Sequence, residues 1–288
     1  MQLSRFLILT LTALLLSAGT VTAQSLPDGA AQALQRGEQT MEEALRTYST
    51  HYPDRPLWQE TFSHALDALS IAPEHPQTLA FLARAYSLSG WFGPGYEAWL
   101  DYLDHGYRLS PDDTPIFSEV AHRQAYSFYE RGRVELALET YRQLIDAVPF
   151  DLDAHVWVGR ILLEQGRPEE AIAYWQTVVE RNPGDDRAQY FLQLARDQAR
   201  WGTDAVNAFR EGVSHYEQGQ MEQARERFAR ATSHNRIYPE AWAWLGRVAF
   251  EQGNFEDART YYRNASELDP DNQTYRYFFE ESGRRLEG

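Results

Sequence analysis

The sequence predicts an all-α protein, a stack of helical hairpins of the α-solenoid kind, and three regularities carry that prediction. Between Ser118 and Asp185, small residues, rings and breakers recur 34 residues apart: Gly132 with Gly166, Ala137 with Ala171, Tyr141 with Trp175, and Pro149 with Pro183. Apolar side chains fall at helical spacing, as Trp242, Leu245 and Ala249 do at i, i+3 and i+7. A longer period of 87 residues carries Gly132 onto Gly219, Ala137 onto Ala224, Trp157 onto Trp244, Arg160 onto Arg247, and Tyr190-Phe191 onto Tyr277-Phe278.

Taken in order, residues 1–23 read as a secretory signal peptide. Arg5 precedes an uncharged run from Phe6 to Leu16, and Val21-Thr22-Ala23 offers small residues for cleavage after Ala23. The alternative is an uncleaved anchor, but the apolar core is short for a span of ~20 residues. Residues 24–75 form an N-terminal helical region. After a tether, one helix runs from Ala30 to Tyr48 with Leu34, Met41, Ala44, Leu45 and Tyr48 on its buried side, and Gly37 is placed to divide it. Pro53 and Pro56 break the pattern, and a second helix then runs from Trp58 to Ile71 before Pro73.

Residues 76–200 read as three hairpins plus one helix. In the first, Leu79, Leu82, Ala83 and Tyr86 take the slots of Trp242, Leu245, Gly246 and Ala249, and Gly90 takes that of Gly253. The register then slips by three, so that Ala98 aligns with Ala258. The stretch from Gly90 to Gly95 becomes a Gly/Pro-rich turn, whose Trp91 and Phe92 serve either as a contact site or as rings folded back on the helices. The extra helix covers 186–200 with Phe191, Leu192 and Ala195. Residues 201–204 form a hinge with Thr203 as N-cap. Two more hairpins fill 205–272, and 273–288 is a capping helix with Tyr275, Phe278 and Phe279 inward and Glu281, Arg284 and Arg285 outward. From Ser118 onward the chain therefore reads as two five-helix units.

The densest expression of the pattern runs from Pro239 to Asn272: Trp242, Leu245, Gly246, Gly253, Phe255, Ala258, Tyr262, Ala265, Leu268 and Pro270. Gly246 and Ala258 lack bulk where two helices approach. Gly253 suits the turn, and Pro270 ends the second helix. This spacing resembles the tetratricopeptide repeat, a helix–turn–helix unit of 34 residues. The resemblance implies a superhelix whose first helices line a concave surface, with two positions of each helix pointing into it. Here those positions are Phe81 and Arg84, Arg123 and Tyr126, Trp157 and Arg160, Arg210 and Val213, and Trp244 and Arg247. Every pair contains Arg and four contain a ring, a combination suited to an extended or helical peptide bearing acidic groups or a free C-terminus. The opposing reading is local: each Arg stacks on its neighbouring ring, and Glu164 and Glu251 pair with Arg160 and Arg247. Family members that clamp chaperone C-termini use Lys, and this chain has none.

Composition narrows the function. The net charge of −15 argues against binding a nucleic-acid backbone. The absence of Cys removes disulfides, thiolate metal sites and Cys nucleophiles. The eight His are dispersed, and no nucleophile elbow, phosphate-binding loop or dinucleotide fingerprint occurs. The expectation is an exported, periplasmic or secreted, non-catalytic scaffold without metal or cofactor. It touches a membrane only through its signal peptide and binds a protein or peptide of the cell envelope. The alternatives are a self-associating structural protein, or a groove for a small molecule or glycan.

Overall fold

A computed structural model describes residues 25–287, so the signal-peptide reading lies outside the described residues. Those residues form fourteen α-helices and no strand. The chain divides into two compact units after Tyr107. The first holds α1 (Asp28–Thr47), α2 (Pro56–Ile71), α3 (Pro76–Leu88) and α4 (Phe92–Asp104). The second holds α5 (Asp113–Glu130), α6 (Val134–Ala147), α7 (Leu152–Glu164), α8 (Pro168–Arg181), α9 (Asp186–Trp201), α10 (Thr203–Glu217), α11 (Met221–His234), α12 (Pro239–Glu251), α13 (Phe255–Leu268) and α14 (Gln273–Glu287). The sequence reading had placed a boundary at 75–76; the structure keeps α3 and α4 with α1 and α2.

The helix ends follow local chemistry. Proline opens α2, α3, α8 and α12, where the first turn has no partner for the missing N–H. Asp151 and Asp185 cap α7 and α9 by accepting from Ala154 N–H and Ala188 N–H at 3.0 and 2.9 Å. Thr203 does not cap α10. It is the first helical residue, and the N-cap is Gly202.

In the first unit, the core joins Ala30, Ala33, Met41, Trp58, Phe62, Ala65, Phe81 and Ala85. Gly37 does not divide α1. It is buried inside the helix, where a Cβ would lie 2.7 Å from the Phe81 ring; its role is to admit that ring. Leu45, expected on the buried side, is 40% exposed because it lies off the stripe of Ala33, Gly37, Met41 and Ala44. The expected register slip after Gly90 also disappears. Helix α4 begins at Phe92, two residues after Gly90, just as α13 begins two residues after Gly253. Gly95 itself takes the slot of Ala258, buried with its would-be Cβ 2.9 Å from Ser87 Oγ. The Gly/Pro-rich stretch is mostly the first turn of α4. Trp91 folds back, its ring centroid 5.2 Å from Tyr86 and 5.9 Å from Phe62.

In the second unit each helix packs on the next, with hairpins α5/α6, α7/α8, α10/α11 and α12/α13. Helix α9 packs mainly on α8 and only lightly on α10, whereas α14 packs on α13 as closely as a hairpin partner. Gly246 and Ala258 are both buried in the α12/α13 hairpin, and the open side of Gly246 faces the Tyr262 ring at 2.7 Å from the would-be Cβ. Tyr275, Phe278 and Phe279 of α14 pack inward. Glu281 is not a freely solvated residue: its side chain is 19% exposed and is held by Arg284 and Arg285 at 2.8 and 2.9 Å.

Candidate functional site

In the second unit a cluster of side chains occurs twice, once across α5 and α7 and once across α10 and α12. In the first copy, Trp157 on α7 stacks flat on Tyr141, with ring centroids 5.7 Å apart and planes at 6°. The edges of Tyr126 and Tyr129 on α5 meet its ring. The Arg160 guanidinium lies over the Trp157 and Tyr129 rings, 5.1 and 5.8 Å from their centroids. Arg160 Nε donates to Glu164 Oε1 at 2.8 Å, and Tyr129 Oη donates to Glu164 Oε2 at 2.7 Å. One carboxylate therefore fixes both an arginine one helical turn away and a tyrosine from the preceding hairpin.

Eighty-seven residues later the arrangement returns. Trp244 on α12 stacks on Phe228 at 5.3 Å, and Tyr216 on α10 meets its ring edge-on at 5.0 Å. Arg247 lies over Trp244 and Tyr216 at 4.9 and 4.8 Å. Its Nε donates to Glu251 Oε1 at 3.1 Å, and Tyr216 Oη donates to the same oxygen at 2.6 Å. The electrostatics agree in the two copies. The hydrogen bond to Glu164 leads in raising the Tyr129 pKa, while at Tyr216 burial leads and the bond to Glu251 follows. Both arginines are held above their ordinary value, Arg160 chiefly by Glu164, and Arg247 by Glu251 against an opposing desolvation.

The remaining expected residues fall into different settings. Arg123 is exposed and ion-paired to Glu119 on its own helix. Tyr126 is 43% exposed, and Glu130 on its own helix leads in raising the pKa of its hydroxyl. Arg210 lies 4.6 Å over the Tyr190 ring of α9, and Val213 is half-buried against the α10–α12 core. Phe81 corrects the expectation for α3. At 1% exposure it is a core residue of the first unit, covered by α1 at Gly37, and it borders a pocket shared with Leu34, Glu38 and Arg84 rather than standing exposed on a groove face. Arg84 is half-buried on the same helix, beside Leu34, Glu38 and Gln77. The contacts that the local reading expects are present at Arg160 and Arg247, which stack on Trp157 and Trp244 and pair with Glu164 and Glu251. Arg123, Arg160 and Arg247 are each engaged through Nε by a carboxylate of their own helix, so a partner's acidic group would share the guanidinium with Glu119, Glu164 or Glu251.

Sequence reasoning missed Tyr129 and Tyr216 as members of the clusters, although the 87-residue period relates them too. It also missed an open cavity of about 430 Å3 between α12, α13 and α14. Its walls are Trp244, Phe250, Tyr262, Tyr275 and Phe278, with Ala243, Thr274, Arg247 and Glu251 completing it. Phe278 stacks on Tyr262 at 5.1 Å and 16°, repeating the stack of Phe191 on Trp175 at 4.8 Å and 16°. Among the described residues no group of three His, Cys, Asp or Glu side chains is placed to hold a metal ion. No helix among them is long and apolar enough to cross a membrane.

Comparison with known proteins gives one family. The tetratricopeptide repeat model matches residues 122–186, 161–199 and 209–273. No curated protein matches the chain. Among solved structures it is similar to a tetratricopeptide repeat protein from Parabacteroides merdae, at 14% identity over 86% of this chain and 99% of that one, with a TM-score of 0.37. It is also similar to pilF of Pseudomonas aeruginosa, at 16% identity over 88% and 99% of the two chains, with a TM-score of 0.32.

Proposed function

The chain belongs to the tetratricopeptide repeat family, an all-helical repeat solenoid of the protein-interaction class, and on that footing we propose that it is an exported, non-catalytic scaffold. In this reading it holds a peptide segment of an envelope protein against the first-helix face of its second unit and serves envelope assembly or maintenance. The observation that carries the reading is the duplicated Tyr–Trp–Arg–Glu cluster. A stability role alone needs neither the same four side chains nor the same hydrogen bonds at both places, since exposed ion pairs contribute under ~1 kcal/mol to folding. Rings locked by stacking and by hydroxyl–carboxylate bonds lose little freedom on binding, which is the property of a preorganised contact surface. Export rests on the charge and apolar pattern of residues 1–23.

The test is site-specific photo-crosslinking in the source cells. A photoreactive residue replaces Arg160 or Arg247 on the cluster face, or Arg167 at the N-cap of α8 or Arg259 on α13. The expected outcome is one shared partner trapped from positions 160 and 247 and absent from 167 and 259. Equal trapping from all four positions would refute the cluster face as the binding surface.

A further inference from the structure

One arginine of the second unit lacks the partner that its counterpart has. Counting 87 residues forward carries Glu119 onto Val206 and Arg123 onto Arg210. On α5, Arg123 is ion-paired to Glu119, one helical turn before it. On α10 the acid has become a buried valine of the core, and Arg210 is left without that carboxylate. Its guanidinium reaches α9 instead and lies 4.6 Å over the Tyr190 ring, at the lightly packed seam where α5–α9 meet α10–α14. Arg210 stays exposed there. Among the described residues no carboxylate pairs with it, and the group that supports its charge is the Tyr238 hydroxyl. Burial pushes that hydroxyl above its ordinary value, so at neutral pH it is uncharged and supplies no counter-ion. Desolvation at the seam pulls the Arg210 pKa below the ordinary arginine range.

A cation that has lost part of its water and has no counter-ion is where an arriving anion gains most, because a charge-assisted bond replaces hydration already given up. Stacking uses one face of the guanidinium and consumes none of its N–H donors. The two cluster arginines differ. Arg160 and Arg247 each already donate Nε to a glutamate, and a further carboxylate there would stand close to Glu164 or Glu251. In the order of the stack the seam comes between the first cluster, on α5 and α7, and the second, on α10 and α12. A segment that reaches both clusters passes the seam in mid-length, so its carboxylate there belongs to a side chain and not to a chain end. We propose that Arg210 is the charge-reading point of the interaction surface and pairs with one Asp or Glu side chain of the bound segment. This rests on the scaffold reading above and narrows its peptide to an acidic one whose charge has a fixed place.

The experiment selects random peptides displayed on phage, fused so that none has a free C-terminus, against the full chain. Enriched peptides are then synthesised with amidated ends and titrated by fluorescence anisotropy. They should share one Asp or Glu, and its exchange for Asn or Gln should weaken binding about tenfold. Arg210→Gln should weaken the acidic peptide by the same factor and leave the amide analogue where it was, because the two changes remove one pair. The unchanged analogue also shows that the variant is folded. A free C-terminus on the same peptides should add nothing. Enriched peptides without an acid, or a loss on Arg210→Gln that is equal for the acidic peptide and its amide analogue, would overturn the proposal. Binding through Arg210 that needs a free C-terminus would overturn the side-chain source. Peptides that lose affinity on Trp157→Ala and Trp244→Ala but ignore Arg210→Gln would overturn the proposal and leave the scaffold reading standing. Enrichment no better than on heat-denatured protein would overturn both.

Discussion

At the scale of single residues, the hairpins are closed by rings laid against glycines. A Cβ at Gly246 would stand 2.7 Å from Tyr262 Cδ2, one at Gly159 would stand 2.6 Å from Trp175 Nε1, and one at Gly212 would stand 2.6 Å from two carbons of Phe228. These separations are below any real contact, so the ring or the helix must move. The Tyr262 ring cannot retreat freely, because Phe278 is stacked on its other face. Gly246→Ala should therefore destabilise the protein by the ~1–3 kcal/mol typical of overpacking, visible as a lowered midpoint in thermal melts. Adding Tyr262→Leu should recover part of the loss, since neighbours that share one contact are energetically coupled. A melt of Gly246→Ala unchanged from wild type would mean that the ring does not lie on this glycine.

At the scale of elements, the second unit was the more legible half. Its 87-residue period runs through glycines, prolines and rings together, so several independent slots agree on one register. The first unit was misread where a single slot decided. Gly95 and Ala98 both satisfy a demand for a small residue, and Gly93-Pro94-Gly95 has the composition of a turn although it lies within α4. Gly37 was misread for the same reason, since a helix-breaking tendency says nothing about a ring on another helix that needs the space. The role of Tyr129 was illegible because its partner Glu164 is 35 residues away, on the next hairpin. Between α9 and α10 the sequence marked Trp201-Gly202 well. The joint is the single residue Gly202, at φ 89° and ψ 140°, a conformation almost closed to residues with a Cβ. Its flank is held by the Trp201 ring stacked on Tyr238 at 5.1 Å and by Asn235 Nδ2 donating to Trp201 O at 2.7 Å. Gly202→Ala should thus cost ~1–3 kcal/mol in backbone strain, whereas Gly184→Ala, with open space and no left-handed φ, should be nearly silent. Equal denaturation midpoints for the two variants would remove the strained joint from the description.

At the scale of the whole molecule, the two units differ in what they can do alone. In repeat stacks each element contacts mainly its sequence neighbours, so stability is assembled locally. From Arg108 onward, ten helices enclose their own buried residues: Val120, Leu138 and Ile161 near the start, Phe228 and Leu245 in the middle, and Tyr262 and Ala265 beneath α14. Both Tyr–Trp–Arg–Glu clusters and the aromatic cavity lie inside this segment. At the C-terminal end the half-buried rings of Phe278 and Phe279 are carried by α14, which packs inward. A polypeptide of residues 108–288 should therefore fold by itself, with a fully helical far-ultraviolet spectrum and one cooperative thermal transition. Its two clusters should survive intact, which near-ultraviolet circular dichroism can read, because stacked Trp157 and Trp244 held in fixed surroundings give a structured aromatic signal. A helical but non-cooperative melt with a flat near-ultraviolet signal would describe a collapsed chain without fixed packing, and would show that the second unit depends on α1–α4 for its order.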